Sequence, residues 1–226
     1  MSGEGQGKGI KLVFIGDTGV GKTCIIARFL KGIYQENVPS TGASYANKTI
    51  EVPGSNEGFT FDIWDTAGQE KYRSLTKFFF QGAKMAVLVY DITRKESFDN
   101  LKSDWLKQLK EHGDEDVILG IAGNKSDLYD EEAVPEQEAR EYAKSIGAVF
   151  CLTSALNNSG IDELFKSLAR KYLGIDSPTD APVKPGSKPD SKPDSKPLNK
   201  PKPNSDTIKI DAKNVNKKQD EKKKCC

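Results

Sequence analysis

Ile10-Lys11-Leu12-Val13-Phe14-Ile15, then Gly16-Asp17-Thr18-Gly19-Val20-Gly21-Lys22-Thr23, then Cys24-Ile25-Ile26: these seventeen residues decide the fold. A short apolar run enters a loop with three glycines, and an amphipathic segment leaves it. The loop fits the phosphate-binding pattern G-x-x-x-x-G-K-[ST] in its required setting, with a strand before it and a helix after it. Glycines let backbone N–H groups turn inward and approach an anion closely. The following helix points its positive end at the same place. Gly16, Asp17, Thr18, Gly19, Val20, Gly21 and Cys24 are therefore expected to line a phosphate site. Lys22 would supply a point charge for the terminal phosphates, and Thr23 a hydroxyl for Mg²⁺.

Working outward, strands are expected at Ile10–Ile15, Tyr45–Val52, Phe59–Trp64, Met85–Tyr90, Val117–Ala122 and Ala148–Leu152. Helices are expected at Lys22–Lys31, Ser97–His112, Pro135–Ile146 and Ile161–Leu173. Phe98, Leu101, Trp105, Leu106 and Leu109 recur at helical spacing in the second of these. The turn chemistry of Pro53–Gly58 joins two strands into an antiparallel hairpin. Alternating strands and helices predict an α/β fold: a six-stranded, mostly parallel sheet with one antiparallel edge strand and helices on both faces.

Composition divides the 226 residues. Residues 1–173 carry 21 Lys and Arg against 25 Asp and Glu, a balance of −4; residues 174–226 carry 13 against 8, or +5. The acidic balance of the first part argues against a nucleic-acid polymer as partner. Residues 1–9 read as a flexible leader and 10–173 as the folded domain. Residues 174–224, where Ser-Lys-Pro-Asp recurs at Ser187 and Ser191, offer no apolar face and read as a disordered tether. No stretch approaches the ~20 apolar residues needed to span a bilayer. Cys24 and Cys151 read as small buried hydrophobes. Cys225 and Cys226, beside Lys217-Lys218 and Lys222–Lys224, read as lipidation sites next to a basic patch.

Further motifs narrow the ligand. Trp64-Asp65-Thr66-Ala67-Gly68-Gln69-Glu70 follows a strand. There Asp65 can hold Mg²⁺ through water, Gly68 can offer its N–H to a terminal phosphate, and Gln69 can orient a water for in-line attack. Asn124-Lys125-Ser126-Asp127 follows another strand. The Asp127 carboxylate can accept both N–H groups that guanine presents and adenine lacks, a discrimination that burial makes strong. Thr153-Ser154-Ala155 follows the next strand, where a backbone N–H of Ser154 or Ala155 can meet the guanine carbonyl.

With Trp64 to Leu75, Val89-Tyr90-Asp91-Ile92-Thr93 and the terminal Cys-Cys in the same order, the chain resembles a Rab GTPase of the Ras superfamily, its endocytic branch above all. The resemblance covers about Lys11 to Leu173 and the end of the chain. It implies a guanine-nucleotide switch that binds GTP or GDP with Mg²⁺ and hydrolyses GTP slowly, with Gln69 as the catalytic residue. It places Tyr34 against the guanine and Tyr45, Trp64 and Phe79 in an aromatic triad for effectors. It implies exchange factors, activating proteins, effectors and an escort protein or GDP dissociation inhibitor as partners. Two prenyl groups on Cys225 and Cys226 would hold a monomer on the cytosolic face of intracellular membranes, with the early endosome as the implied address and a cytosolic pool in the GDP state. The chain departs from the pattern in its first switch, Ser40-Thr41-Gly42, which is one residue short. Thr41 is the expected ligand of Mg²⁺ there and Ser40 the alternative. Leu156 stands where a lysine usually follows Thr-Ser-Ala. The altered first switch leaves a second reading, a GTP-binding scaffold that does not hydrolyse. A small-molecule kinase reusing the phosphate loop is a third, opposed by the Asn-Lys-x-Asp motif.

Overall fold

The computed structural model describes residues 9–34, 44–66 and 78–175. Six strands form one sheet: β1 (Ile10–Ile15), β2 (Ser44–Ile50), β3 (Phe59–Asp65), β4 (Met85–Asp91), β5 (Ile118–Asn124) and β6 (Val149–Thr153). Their spatial order is β2-β3-β1-β4-β5-β6, and only the edge pair β2–β3 is antiparallel. This is the architecture the sequence predicts. β4 is buried along all seven residues, as a central parallel strand with helices on both faces must be. β2 alternates between exposed and half-buried positions, as an edge strand does.

The helices are α1 (Lys22–Lys31), α2 (Lys95–Asn100), α3 (Leu106–His112), α4 (Glu136–Ser145) and α5 (Ile161–Tyr172). α1 ends at Gly32, whose φ of 67° lets its N–H return to the Arg28 carbonyl. α5 buries Ile161, Leu164, Phe165, Leu168 and Ala169, one stripe at helical spacing. Asp162 and Glu163 open that helix and Arg170 and Lys171 close it, each sign complementing the helix dipole. α1 and α5 cover one face of the sheet, where Phe165 sits among Phe14, Phe29 and Phe61. The segment from α2 to α3, with α4, covers the other face through Phe98, Leu101, Trp105, Leu109 and Ala139.

Several strand bounds differ from expectation by one or two residues, β5 running on to Asn124 where Ala122 is the expected end, and two expectations need fuller correction. The helix expected at Ser97–His112 begins at Lys95 and is not uniformly α. Between α2 and α3, Leu101–Trp105 form a π turn, closed by the N–H of Leu106 donating to the carbonyl of Leu101. The strand expected to reach Val52 leaves the ladder after Ile50, although Val52 remains buried at the start of the turn.

Register places the chemistry. Asp91 pairs with Asn124, and Asn124 with Thr153, across the ends of β4, β5 and β6. Phe14 pairs with Asp65 between β1 and β3. The residues singled out by motif thus gather at the carboxyl ends of the strands, beside β1 where the chain order reverses direction. In open α/β sheets that crevice is where ligands bind.

Candidate functional site

The loop from Gly16 to Gly21 leaves β1 with backbone that only glycine adopts readily. Gly16, Gly19 and Gly21 have φ of 142°, 80° and 96°. Two of the three also permit close approach. A Cβ on Gly16 would lie 2.3 Å from the Val89 carbonyl oxygen, and one on Gly21 would lie 2.2 Å from Asn124 Nδ2. Asn124 therefore sits directly against the loop, and its Nδ2 donates to the Val20 carbonyl at 2.7 Å. Thr153 Oγ1 donates in turn to Asn124 Oδ1 at 3.3 Å.

Lys22 is 5 % exposed, and its Nζ donates to the carbonyls of Gly16 and Asp17 at 2.8 Å each. Burial pushes its pKa down to about 8, against the pull of Asp65 and Asp17. An ammonium curled against its own loop can exchange those carbonyls for phosphate oxygens. Thr23 Oγ1 donates to Asp65 Oδ2 at 2.7 Å, and Asp65 is buried. A hydroxyl and a carboxylate side by side are hard oxygen donors of the kind Mg²⁺ takes. Among the described residues no group of three or more His, Cys, Asp or Glu could hold a metal ion. A hydroxyl–carboxylate pair suits an ion that keeps several waters and takes its other ligands from phosphates. Thr66 anchors the exit from β3 by donating to the Phe14 carbonyl at 2.6 Å.

The second half of the site is the loop after β5. Lys125 holds φ 67° and ψ 35°, a left-handed conformation that costs a non-glycine residue about 1 kcal/mol. Its Nζ meets Asp91 Oδ2 at 2.6 Å, and Asp91 also accepts from Thr93 N at 3.0 Å and Thr93 Oγ1 at 2.8 Å. Asp127 Oδ1 accepts a short hydrogen bond from Ser154 Oγ, which also receives the Asn157 N–H at 3.2 Å. The loops after β5 and β6 are thus tied together through Asp127 and Ser154. Ala155 is buried beside them.

The base side is closed by Arg28 of α1. Its Nε donates to the Ala155 carbonyl at 2.8 Å, its Nη2 to Leu156 at 2.6 Å and its Nη1 to Gly32 at 2.8 Å. The same guanidinium lies 6.0 Å from the centroid of the Tyr34 ring. Leu156 therefore contributes its backbone to this corner while its side chain is exposed.

The structure brings together Gly16 to Cys24, Asp65, Asn124, Lys125, Asp127, Ser154 and Ala155, with Tyr34 at the margin. Ser40, Thr41, Gly68, Gln69, Cys225 and Cys226 lie outside the described residues. Neither Cys24 nor Cys151 is in a disulfide; both are half-buried, less enclosed than the sequence implies. Burial pushes both thiols up, Cys151 to about 12, which keeps them protonated. Away from the nucleotide loops, Tyr45 and Trp64 rings are 5.3 Å apart and Trp64 and Phe79 rings 6.3 Å. Tyr45 is 53 % exposed, so the expected triad is contiguous and open at one end.

Sequence reasoning gives Asp91 and Arg28 no role in the site. Asp91 lies in the quoted Val-Tyr-Asp-Ile-Thr motif, and an acidic residue in an otherwise apolar strand was its available signal. Arg28 gives none, because the two carbonyls that tie it to the site, those of Ala155 and Leu156, lie 127 and 128 residues away.

Comparison with known proteins agrees with this geometry. The Ras family model matches residues 11–174. The chain is 48 % identical to human Ras-related protein Rab-31 over 168 residues, which is 74 % of this chain and 85 % of that protein. It is 44 % identical to human Rab-22A over 169 residues, 74 % and 86 % of the two chains. It is 41 % identical to tobacco Rab5 over 162 residues, 71 % and 80 % respectively.

Proposed function

Since the chain belongs to the Ras family, as a small GTPase of the Rab type acting in membrane trafficking, we propose that it is a switch whose slow hydrolysis of GTP times its contacts with partners. One observation carries this. A phosphate loop with its lysine, and an Asp127-centred base loop, are joined by the Asn124–Val20 hydrogen bond at the carboxyl end of one sheet. That arrangement suits a guanine nucleoside phosphate bound with its phosphates at Gly16–Thr23 and its base between Lys125, Asp127 and Ala155.

In this reading Lys22 leaves the Gly16 and Asp17 carbonyls for the terminal phosphates. Asp127 reads the guanine N–H pair, and Ser154 holds that carboxylate in place. Mg²⁺, when bound, would be held by Thr23 and Asp65 and would offset phosphate charge. Thr41 would join them when GTP is present, and Gly68 would meet the terminal phosphate. Gln69 would orient the attacking water, being both donor and acceptor. Such a site hydrolyses slowly without an arginine supplied by an activating protein.

The two nucleotide states would select partners: an exchange factor, an activating protein, effectors at the Tyr45–Trp64–Phe79 face, and a dissociation inhibitor for the GDP form. No helix among the described residues is long and apolar enough to cross a membrane. We place the protein on cytosolic membrane faces of the endosomal system through lipids on Cys225 and Cys226. Two chains, or one chain with basic residues, anchor stably.

The test is single-turnover hydrolysis of pre-bound GTP with Mg²⁺. Wild type should hydrolyse slowly, and Gln69→Leu and Thr41→Ala should both lose that activity. Silence of Thr41→Ala together with loss in Ser40→Ala would move the switch threonine's role to Ser40. A wild type that holds GTP without cleaving it, even with an activating-protein domain present, would refute the timer and favour the scaffold.

A further inference from the structure

The phosphate loop is gripped from outside the nucleotide loops at one of its own carboxylates, Asp17, which the reaction itself does not use. Asp17 Oδ1 accepts from Trp105 Nε1 at 2.7 Å, and Asp17 Oδ2 accepts from Asn100 Nδ2 at 2.9 Å. Both oxygens of one side chain are thus held by residues 83 and 88 positions away. The backbone carbonyl of the same Asp17 receives Lys22 Nζ. A third contact comes from the start of this helical segment, where Arg94 Nη2 donates to the Thr18 carbonyl at 3.1 Å.

Helix geometry explains why this grip needs an irregular turn. In an α-helix five residues advance about 140° beyond a full turn, so positions i and i+5 face away from each other. Asn100 and Trp105 are five apart. The stretch between them is the π turn Leu101–Trp105, closed by the i→i+5 bond from Leu106 N to the Leu101 carbonyl. An i→i+5 turn takes up more residues per turn than an α-helix, so residues five apart come round toward the same face. The wide turn therefore sets the Asn100 amide and the Trp105 indole side by side, one for each oxygen of Asp17. Leu101 and Trp105 are both buried, which fixes the turn on the sheet.

We propose that Asn100 and Trp105 are positioning residues of the phosphate loop. Presented together by the π turn, they clamp the Asp17 carboxylate, hold the loop around Lys22 in its binding shape, and slow the departure of nucleotide. The inference rests on the nucleotide reading above and adds a determinant of how long GDP stays bound. The chemistry is specific. The indole supplies one N–H and the amide another, both to an anion, and such charge-assisted bonds are the strong ones.

The experiment loads the full chain with fluorescently labelled GDP in Mg²⁺ and chases it with unlabelled GDP. Trp105→Phe keeps the ring and removes the N–H; release should quicken about tenfold, as expected for one hydrogen bond to a charged group. Asn100→Ala, at a half-buried position, should act in the same direction. In an Asp17→Ala background, where the acceptor is gone, Trp105→Phe should change release by less than about twofold, since the shared partner makes the two effects non-additive. A Trp105→Phe release rate equal to wild type overturns the proposal. So does an equal acceleration with and without Asp17, which would assign the effect to ring packing. Should Trp105→Phe fail to fold, the Asn100→Ala rate and its dependence on Asp17 decide in the same way. Wild type that fails to load GDP at all refutes the nucleotide reading and this proposal with it, whereas loading with unchanged variant rates refutes the clamp alone.

Discussion

Replacing Asp91 by Asn tests whether a residue outside the nucleotide loops holds the base loop in its strained form. Asp91 is 1 % exposed at the end of β4, opposite Asn124 in the next strand. Its Oδ2 takes Lys125 Nζ at 2.6 Å and lies 3.6 Å from Arg94 Nε; its Oδ1 takes both donors of Thr93. Asparagine has the same shape and keeps an oxygen for Thr93, but turns an amide or a neutral oxygen toward the Lys125 ammonium. A hydrogen bond between charged partners contributes about 1.5–3 kcal/mol. The Lys125 side chain is 36 % exposed, so water recovers part of that and the low end, about 1.5 kcal/mol, applies. The variant should lose about that much stability in urea denaturation. Because Lys125 also occupies a left-handed conformation, the same loss should loosen the base loop. GDP release should then quicken about tenfold, since 1.4 kcal/mol is a factor of ten. Lower stability with an unchanged release rate would refute the coupling between Asp91 and the base loop.

The pH dependence sharpens the test. Burial raises the Asp91 pKa, but the bonds from Lys125 and Thr93 outweigh it and hold the carboxyl below its usual 3.8. A depressed carboxylate contributes stability above its unfolded pKa and loses it as pH falls through the folded one. The stability gap between wild type and Asp91→Asn should therefore be flat from neutral pH down to about 5 and shrink below about 4. A gap that closes near neutral pH would assign the effect to another group.

Three other perturbations follow from the same geometry. Gly21→Ala would place a Cβ 2.2 Å from Asn124 Nδ2 at a φ of 96°, so the variant should fail to retain GDP through gel filtration, and wild-type retention would refute the close approach. Arg28→Ala removes three donors from the carbonyls of Gly32, Ala155 and Leu156; it should lower stability by about 2 kcal/mol and quicken GDP release, read by denaturation and release kinetics, and an effect on stability alone would make Arg28 a helix-end cap and no more. Cys225→Ser with Cys226→Ser should leave GDP binding intact and move the protein from the membrane to the soluble fraction of a cell lysate; continued sedimentation with membranes would refute the lipid anchor.

The phosphate loop, its flanking strand and helix, and the base loop were legible because each is a local pattern. β1 and α1 fall on the expected residues, since an apolar run, a glycine loop and Gly32 punctuate the chain unambiguously. Asp91 and Arg28 were not legible as parts of the site. Their roles depend on contacts with other elements, and spacing along one segment carries no trace of a partner on another, as Lys125 is for Asp91 and Ala155 for Arg28. Strand ends differ from their expected positions by one or two residues for a similar reason. Whether Val52 or Asn124 continues a ladder depends on the neighbouring strand, not on its own side chain.

The π turn shows a subtler limit of periodicity. Phe98, Leu101, Trp105 and Leu109 are spaced three, four and four apart, and each step fits an α-helix. A single wide turn shifts the register by about one residue, which an apolar pattern with a broad stripe absorbs. What the pattern cannot absorb is the polar demand. Asn100 and Trp105 both reach the two oxygens of Asp17, and an uninterrupted α-helix would turn one of them away. The wide turn gives up regular helix geometry, and wide turns of this kind recur at functional sites. The apolar residues of this segment specify that a helix covers β1 and β4, while its polar residues specify how that helix must deform to hold the phosphate loop. Fold and function are therefore written in the same twelve residues from Phe98 to Leu109, in two patterns with different periods.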